Sequence, residues 1–205
     1  MVSLDTPRRG RRRLRVLADG ARAASPSIAD TGWAALTALL LVLAFPDFDL
    51  WPLAWVGLVP LLLAVARRPR PAQAFVMGWV SGTLFFYGTC YWLTYPMIHY
   101  ADIPAWLAYP LLLPAPLCAG LFPALCMFAL ARLVSRLGAR ALLFAPFLWA
   151  ALEWARLGVI GQLWNAIGYS QAYEPTLIGA ARFGGVYAIS FLIVTVNAAL
   201  AYALL

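Results

Sequence analysis

Residues 31–66 read TGWAALTALLLVLAFPDFDLWPLAWVGLVPLLLAVA, and the only charges among them are Asp47 and Asp49. A helix on the surface of a water-soluble protein keeps a polar face, and neither half of this stretch has one. Crossing about 30 Å of hydrocarbon takes roughly 20 mainly apolar residues. Runs 31–45 and 50–66 are therefore read as two membrane helices folded back on each other around Pro46-Asp47-Phe48-Asp49. The first is short for a span and depends on the second as a hairpin partner.

The rest of the chain repeats this character. Apolar residues make up 64% of the 205 positions and charged residues 11%, with 14% aromatic; the mean hydropathy is +0.81. An average soluble domain has about 45–50% apolar and 25% charged residues. The composition excludes an ordinary soluble domain, a disordered chain and a disulfide scaffold. Further spans are expected at 72–92, 104–131, 141–157 and 177–205. The reading is an all-α polytopic membrane protein of about six transmembrane helices. Pro104, Pro110, Pro114, Pro116 and Pro123 predict a kinked fourth span or an interfacial lead-in to it.

All 15 basic residues are arginine, and there is no lysine. Seven arginines precede the first span, three lie at 67–70 and three at 132–140, so one set of loops holds thirteen of the 15. The opposite loops carry Asp47, Asp49, Asp102 and Glu174. Arginine excess marks the cytoplasmic side, which places the N-terminus inside, with residues 1–30 as a basic, disordered tail. Segregation into loops also excludes a nucleic-acid surface, which needs its cations gathered on one groove-facing patch. The first run ends in Phe45-Pro46-Asp47-Phe48 with no small-residue cleavage site, so it is read as a retained span and not a signal peptide.

Few residues are candidates for chemistry. Cys90, Cys118 and Cys126 all fall in apolar segments and read as small hydrophobes. Three cysteines and one histidine at these spacings give no zinc site, and no cofactor is expected. His99 sits among Tyr95, Tyr100 and Asp102, as a proton shuttle or, more simply, as part of an interfacial aromatic belt. No glycine-framed serine accompanies it, as an intramembrane protease would need. Glu153 and Arg156 lie three apart in the fifth span, where they share a helical face and are expected to pair. Ionisable groups in a span are functional candidates by default, against the simpler reading of an internal ion pair. Asn197 is expected to hydrogen-bond between helices. The outer loop 161–171, with Trp164, Asn165, Tyr169 and Gln171, is the densest polar and aromatic cluster and suits contact with lipid headgroups.

Several stretches, taken in order, resemble bacterial apolipoprotein N-acyltransferases. They are Leu43 to Trp55, Gly78-Trp79-Val80-Ser81-Gly82 with Tyr91-Trp92, and Pro146, Trp149, Glu153, Trp154 and Arg156. Trp164-Asn165 with Gly168-Tyr169-Ser170-Gln171, and Gly184-Gly185-Val186-Tyr187 with Ser190-Phe191, complete the set. Gln162-Leu163 stands where the family usually has Phe-Pro.

The resemblance implies a bundle in the bacterial inner membrane joined to a periplasmic nitrilase-like domain. In that family an acyl chain passes from a phospholipid to the α-amino group of a lipoprotein's diacylglyceryl cysteine. A Glu–Lys–Cys triad in the soluble domain does this through a thioester. A chain without lysine carries no such triad, and the cysteines here match membrane helices. The resemblance therefore implies the membrane half alone, without turnover of its own and with the catalytic domain absent from this chain. On that reading it anchors the catalytic domain and admits phospholipid and diacylglyceryl-lipoprotein, with Glu153, Arg156, Trp164, Asn165, Tyr169 and Gln171 as candidates for lipid contact. The alternative is a non-catalytic scaffold partnering a polyprenol-phosphate glycosyltransferase. A transporter is disfavoured by the absence of an inverted repeat and the scarcity of polar residues in the spans.

Overall fold

The structure, a computed structural model, describes residues 24–205, and all its regular elements are helical. Most of the expected basic tail lies outside the described residues. Its end does not: helix α1, Ile28–Leu43, starts inside it because Ser27 caps the helix. The Asp30 amide donates to Ser27 Oγ at 3.2 Å and the Ser27 amide to Asp30 Oδ2 at 3.3 Å, a reciprocal capping box.

Helix α2, Trp51–Arg67, follows the hairpin turn, in which Asp49 takes the left-handed conformation at φ 54°. The helix is broken near Leu58, where a short helix Ala54–Gly57 ends and Val59–Arg67 begins with Pro60 in its first turn. Pro60 supplies no amide donor and crowds the preceding turn. The broken ladder is mended from outside. Leu58 N donates to Asn197 Oδ1 at 2.8 Å, Asn197 Nδ2 donates to Ala54 O at 2.9 Å, and Leu61 N donates to Thr37 Oγ1 at 3.1 Å. The Asn197 amide thus sits between two backbone groups that an unbroken helix would have joined to each other. It is fully buried.

Helix α3, Pro71–Cys90, packs closely against the fourth apolar stretch. A Cβ on Gly78 would lie 2.6 Å from Pro123 O, and one on Gly82 would lie 2.9 Å from Pro123 Cγ. Two glycines four apart let the backbones approach, as small residues do between helices in lipid. Past α3 come the short α4, Thr94–His99, then α5, Ala105–Leu112, α6, Pro114–Ala119, and α7, Leu121–Leu137. The fourth expected span is thus three helical pieces, divided at Leu113 and Gly120. Pro114 and Pro116 remove amide donors at the first break. At the second, Gly120 lies against Thr83 so tightly that a Cβ would meet Thr83 Oγ1 at 2.7 Å.

Gly138, at φ 65°, turns the chain into a 3-10 segment and then α8, Ala145–Ile160. After a loop and the short α9, Pro175–Ile178, the chain ends in α10, Gly185–Ala203. The last span was expected from residue 177, but the regular helix begins at Gly185. Gly185 itself has φ 62°, a conformation that opens a helix only where there is no side chain.

Among the described residues, two helical stretches are long and apolar enough to cross a membrane, Ala105–Ile160 and Gly185–Ala203; α1 and α2 are apolar but shorter. The largest fully buried side chains include Leu58, Leu61 and Leu62 of α2, Met127 and Leu130 of α7 and Ile193 of α10.

Candidate functional site

At the end of the bundle remote from Arg67, Arg68 and Arg70, the α1–α2 turn, the end of α3 and the loop after α8 come together. Helix α8 presents Trp149, Glu153 and Arg156 on one face. Gly161, left-handed at φ 75°, ends α8 and sends the chain back over that face.

Glu153 is 6% exposed and Arg156 4%. The expected ion pair between them does not form: among the described residues the ion pair is Arg68–Asp30, at 3.8 Å, at the opposite end. Both side chains serve the loop instead. Ile167 N donates to Glu153 Oε1 at 2.8 Å, and Trp149 Nε1 donates to the same oxygen at 2.9 Å. Arg156 Nη1 donates to Trp164 O at 2.6 Å and Nη2 to Leu163 O at 3.5 Å, while its guanidinium lies 4.9 Å from the centre of the Phe86 ring. The irregular backbone of 163–167 would otherwise leave donors and acceptors unpaired in an apolar setting. Each side chain is thus taken by backbone groups of the loop and not by the other. The second carboxyl oxygen, Glu153 Oε2, is buried with no hydrogen-bond partner, and Ser190 lies beside it.

Asn165 has φ 58°, a left-handed conformation that asparagine adopts more readily than most residues. In that conformation its Nδ2 donates to Thr89 Oγ1 at 2.6 Å and to Cys90 Sγ at 3.1 Å, pinning the loop to the end of α3. Trp164 packs at a tilt against Trp92 with ring centres 5.3 Å apart and stays 47% exposed, while Tyr169 is 43% exposed. A Cβ on Gly168 would meet Val186 O at 2.6 Å, and Gly168 N donates to Ser190 Oγ at 3.0 Å. The loop therefore rests directly on the first turn of α10.

Gln171 differs from the expectation of lipid contact. It is fully buried. Trp55 Nε1 donates to its Oε1 at 3.2 Å, and its Nε2 donates to Trp51 O at 3.3 Å and Ser170 Oγ at 2.9 Å. Those partners make it a clip between the loop and α2. His99 is exposed and stacks on Tyr95 at 4.2 Å, within a group of surface aromatics.

Of the six candidates, Glu153, Arg156, Trp164 and Asn165 thus converge, Tyr169 flanks them, and Gln171 faces away. Thr89 and Phe86 were not anticipated: a threonine and a phenylalanine in an apolar helix carry no sequence signal of their own.

Two clefts share Trp164 as a wall. One, of about 180 Å³, is lined by Phe86, Cys90, Pro116, Cys118 and Arg156. The other, of about 360 Å³, is lined by Phe45, Asp47, Thr89, Trp92, Asn165 and Tyr169. Mostly apolar walls with a few placed polar groups suit an amphiphile with a small head.

A bundle of apolar helices with such a site at one end fits a membrane protein. The family model described as apolipoprotein N-acyltransferase N-terminal domain matches residues 37–199. The chain belongs to that family. It is 36% identical over 168 residues to the apolipoprotein N-acyltransferase of Geobacter metallireducens, covering 82% of this chain and 32% of that protein. Against the Chromobacterium violaceum protein of the same name it is 35% identical over 169 residues, again covering 82% of this chain and 32% of the relative. Identity to the Chlorobaculum tepidum relative is 30% over 167 residues, which is 79% of this chain and 29% of that protein. The chain spans about a third of the length of these relatives.

Proposed function

We propose that the chain is the membrane domain of an apolipoprotein N-acyltransferase. In this reading it crosses the bacterial inner membrane about six times with its N-terminus in the cytoplasm. It anchors a catalytic domain and admits phospholipid and diacylglyceryl-lipoprotein from the outer leaflet, with α8, α10 and the 161–171 loop as the floor of the site. The carrying observation is the pair of clefts walled by Trp164 in a chain of this family. The arrangement of charge agrees with it. Arg68 pairs with Asp30 at the start of α1, so the beginning of α1 and the α2–α3 turn share one end of the bundle, opposite the clefts. The acyl transfer itself, with its thioester and triad, belongs to residues outside this chain.

A segment exchange tests the reading. The part of the Geobacter metallireducens relative that matches this chain is replaced by residues 37–199. The chimera is expressed in a bacterium depleted of its own N-acyltransferase, and lipoprotein N-termini are weighed by mass spectrometry. N-acylated termini are expected. A chimera that reaches the membrane at the parental level and leaves every terminus free contradicts the proposal.

A further inference from the structure

At the end of the bundle opposite Trp164, a groove of about 210 Å³ lies between residues 142–146 and one face of α10, from Thr195 to Tyr202. Thr195 and Tyr202 are seven positions apart, so the groove follows α10 for about 10 Å. Its walls are apolar, with Leu143 and Pro146 facing Ala198 and Ala199. Leu143 is 72% exposed. The Thr195 hydroxyl is turned back on its own helix, donating to Phe191 O at 2.7 Å. The Tyr202 hydroxyl is thus the polar group left to a ligand, at the mouth of the groove.

Charge enters at that same mouth. Residues 138–144 form a 3-10 segment, in which side chains three apart eclipse each other. Arg140 therefore stands on the same edge as Leu143, one turn nearer the end of the bundle that carries Arg132 and Arg136. Neither 121–152 nor 185–205 contains a carboxylate side chain. Among the described residues the ion pair is Arg68–Asp30, which leaves Arg140 without one. An apolar groove that ends at an unneutralised arginine and a phenol matches an amphiphile with a hydrocarbon tail and an anionic head. A second copy of the chain fits less well, because side by side in a bilayer it brings its own arginines to the same end.

We infer that this groove holds an acyl chain of an anionic phospholipid, with the lipid phosphate at Arg140 and the Tyr202 hydroxyl. The lipid belongs to the leaflet on the arginine side and fastens the 3-10 segment to the end of α10. The inference needs the helices to lie in a bilayer; acyl transfer plays no part in it.

The full chain is reconstituted in phosphatidylcholine nanodiscs with a trace of phosphatidylglycerol bearing a diazirine on its acyl chain, or of phosphatidylcholine bearing the same group. After irradiation, adducts are mapped by mass spectrometry and normalised to labelling elsewhere on the chain. Residues 142–146 and 195–202 are expected to be labelled about fivefold more by the anionic probe, the equivalent of about 1 kcal/mol for one arginine at an anionic surface. Arg140→Gln should bring the ratio below twofold and Arg140→Lys retain it; both are surface changes that do not endanger the fold. Ala199→Trp fills the groove and should remove labelling there by either probe. Equal labelling by the two probes overturns the inference, as does an undiminished ratio in Arg140→Gln. Labelling by neither probe, with Ala199→Cys giving disulfide-linked pairs, assigns the groove to a second copy and overturns it too. No turnover is read, so a chimera that fails to acylate refutes the proposed function and leaves the lipid site standing.

Discussion

Replacing Glu153 separates a structural carboxylate from an incidental one. Its Oε1 is the acceptor for two donors, Ile167 N at 2.8 Å and Trp149 Nε1 at 2.9 Å, and Ile167 is 1% exposed. Glu153→Ala strands the buried Ile167 donor and takes the partner from the Trp149 indole. A buried donor left unpaired costs about 1–3 kcal/mol. Trp149 is only partly buried, so its indole recovers some of that loss, and the expected destabilisation is about 3 kcal/mol in total. Glu153→Gln keeps an amide oxygen in place of Oε1. It changes chiefly Oε2, which has no partner to lose, so about 1 kcal/mol is expected. Reversible unfolding in mixed micelles gives both values, and hydrogen exchange at the Ile167 amide gives the local one. The expected order is wild type, then Gln, then Ala, with Ile167 protection lost only in Ala. Equal stabilities for Gln and Ala, or an Ile167 amide still protected in Ala, would refute the role assigned to this oxygen.

Three further changes probe the packing around the site. Asn197→Leu removes the amide that takes Leu58 N and gives to Ala54 O; a loss of about 1–3 kcal/mol is expected in the same unfolding assay, with faster exchange at Leu58. Gly78→Ala drives a Cβ to 2.6 Å from Pro123 O and should cost about 1–3 kcal/mol by overpacking. Gly158→Ala meets nothing within 4 Å and should leave α8 as stable or firmer by about 0.5–1 kcal/mol, as differential scanning calorimetry would show.

Where local chemistry decides, the sequence was a good guide. The Pro46-Asp47-Phe48-Asp49 turn lies where the apolar run is interrupted, Pro114 and Pro116 lie at the break after α5 while Pro110 and Pro123 stay within helices, and Asn197 bonds between helices. The spacing of Glu153 and Arg156 put them on one face but not on each other. Their partners are backbone groups of Trp164 and Ile167, which a sequence does not display, and the loop reaches them only because Gly161 reverses the chain. Gln171 was misjudged for a related reason. Its partners, the Trp51 carbonyl and the Trp55 indole, are more than a hundred residues away, and an amide beside Tyr169 in a loop looks solvated until they are placed against it. The start of α10 was set by the glycine pair Gly184-Gly185, whose effect hydropathy does not register.

The central claim is a membrane domain whose clefts face outward and whose arginine clusters face the cytoplasm. Its most direct test is the side of the membrane on which each end of the bundle lies. On a background with Cys90, Cys118 and Cys126 replaced by alanine, single cysteines at Asp102, beyond the cleft end, and at Arg140, in the α7–α8 turn, are treated in intact cells with a membrane-impermeant maleimide. The account predicts labelling at position 102 and none at position 140 until the inner membrane is opened. Labelling of 140 but not 102, or of both alike, would contradict it.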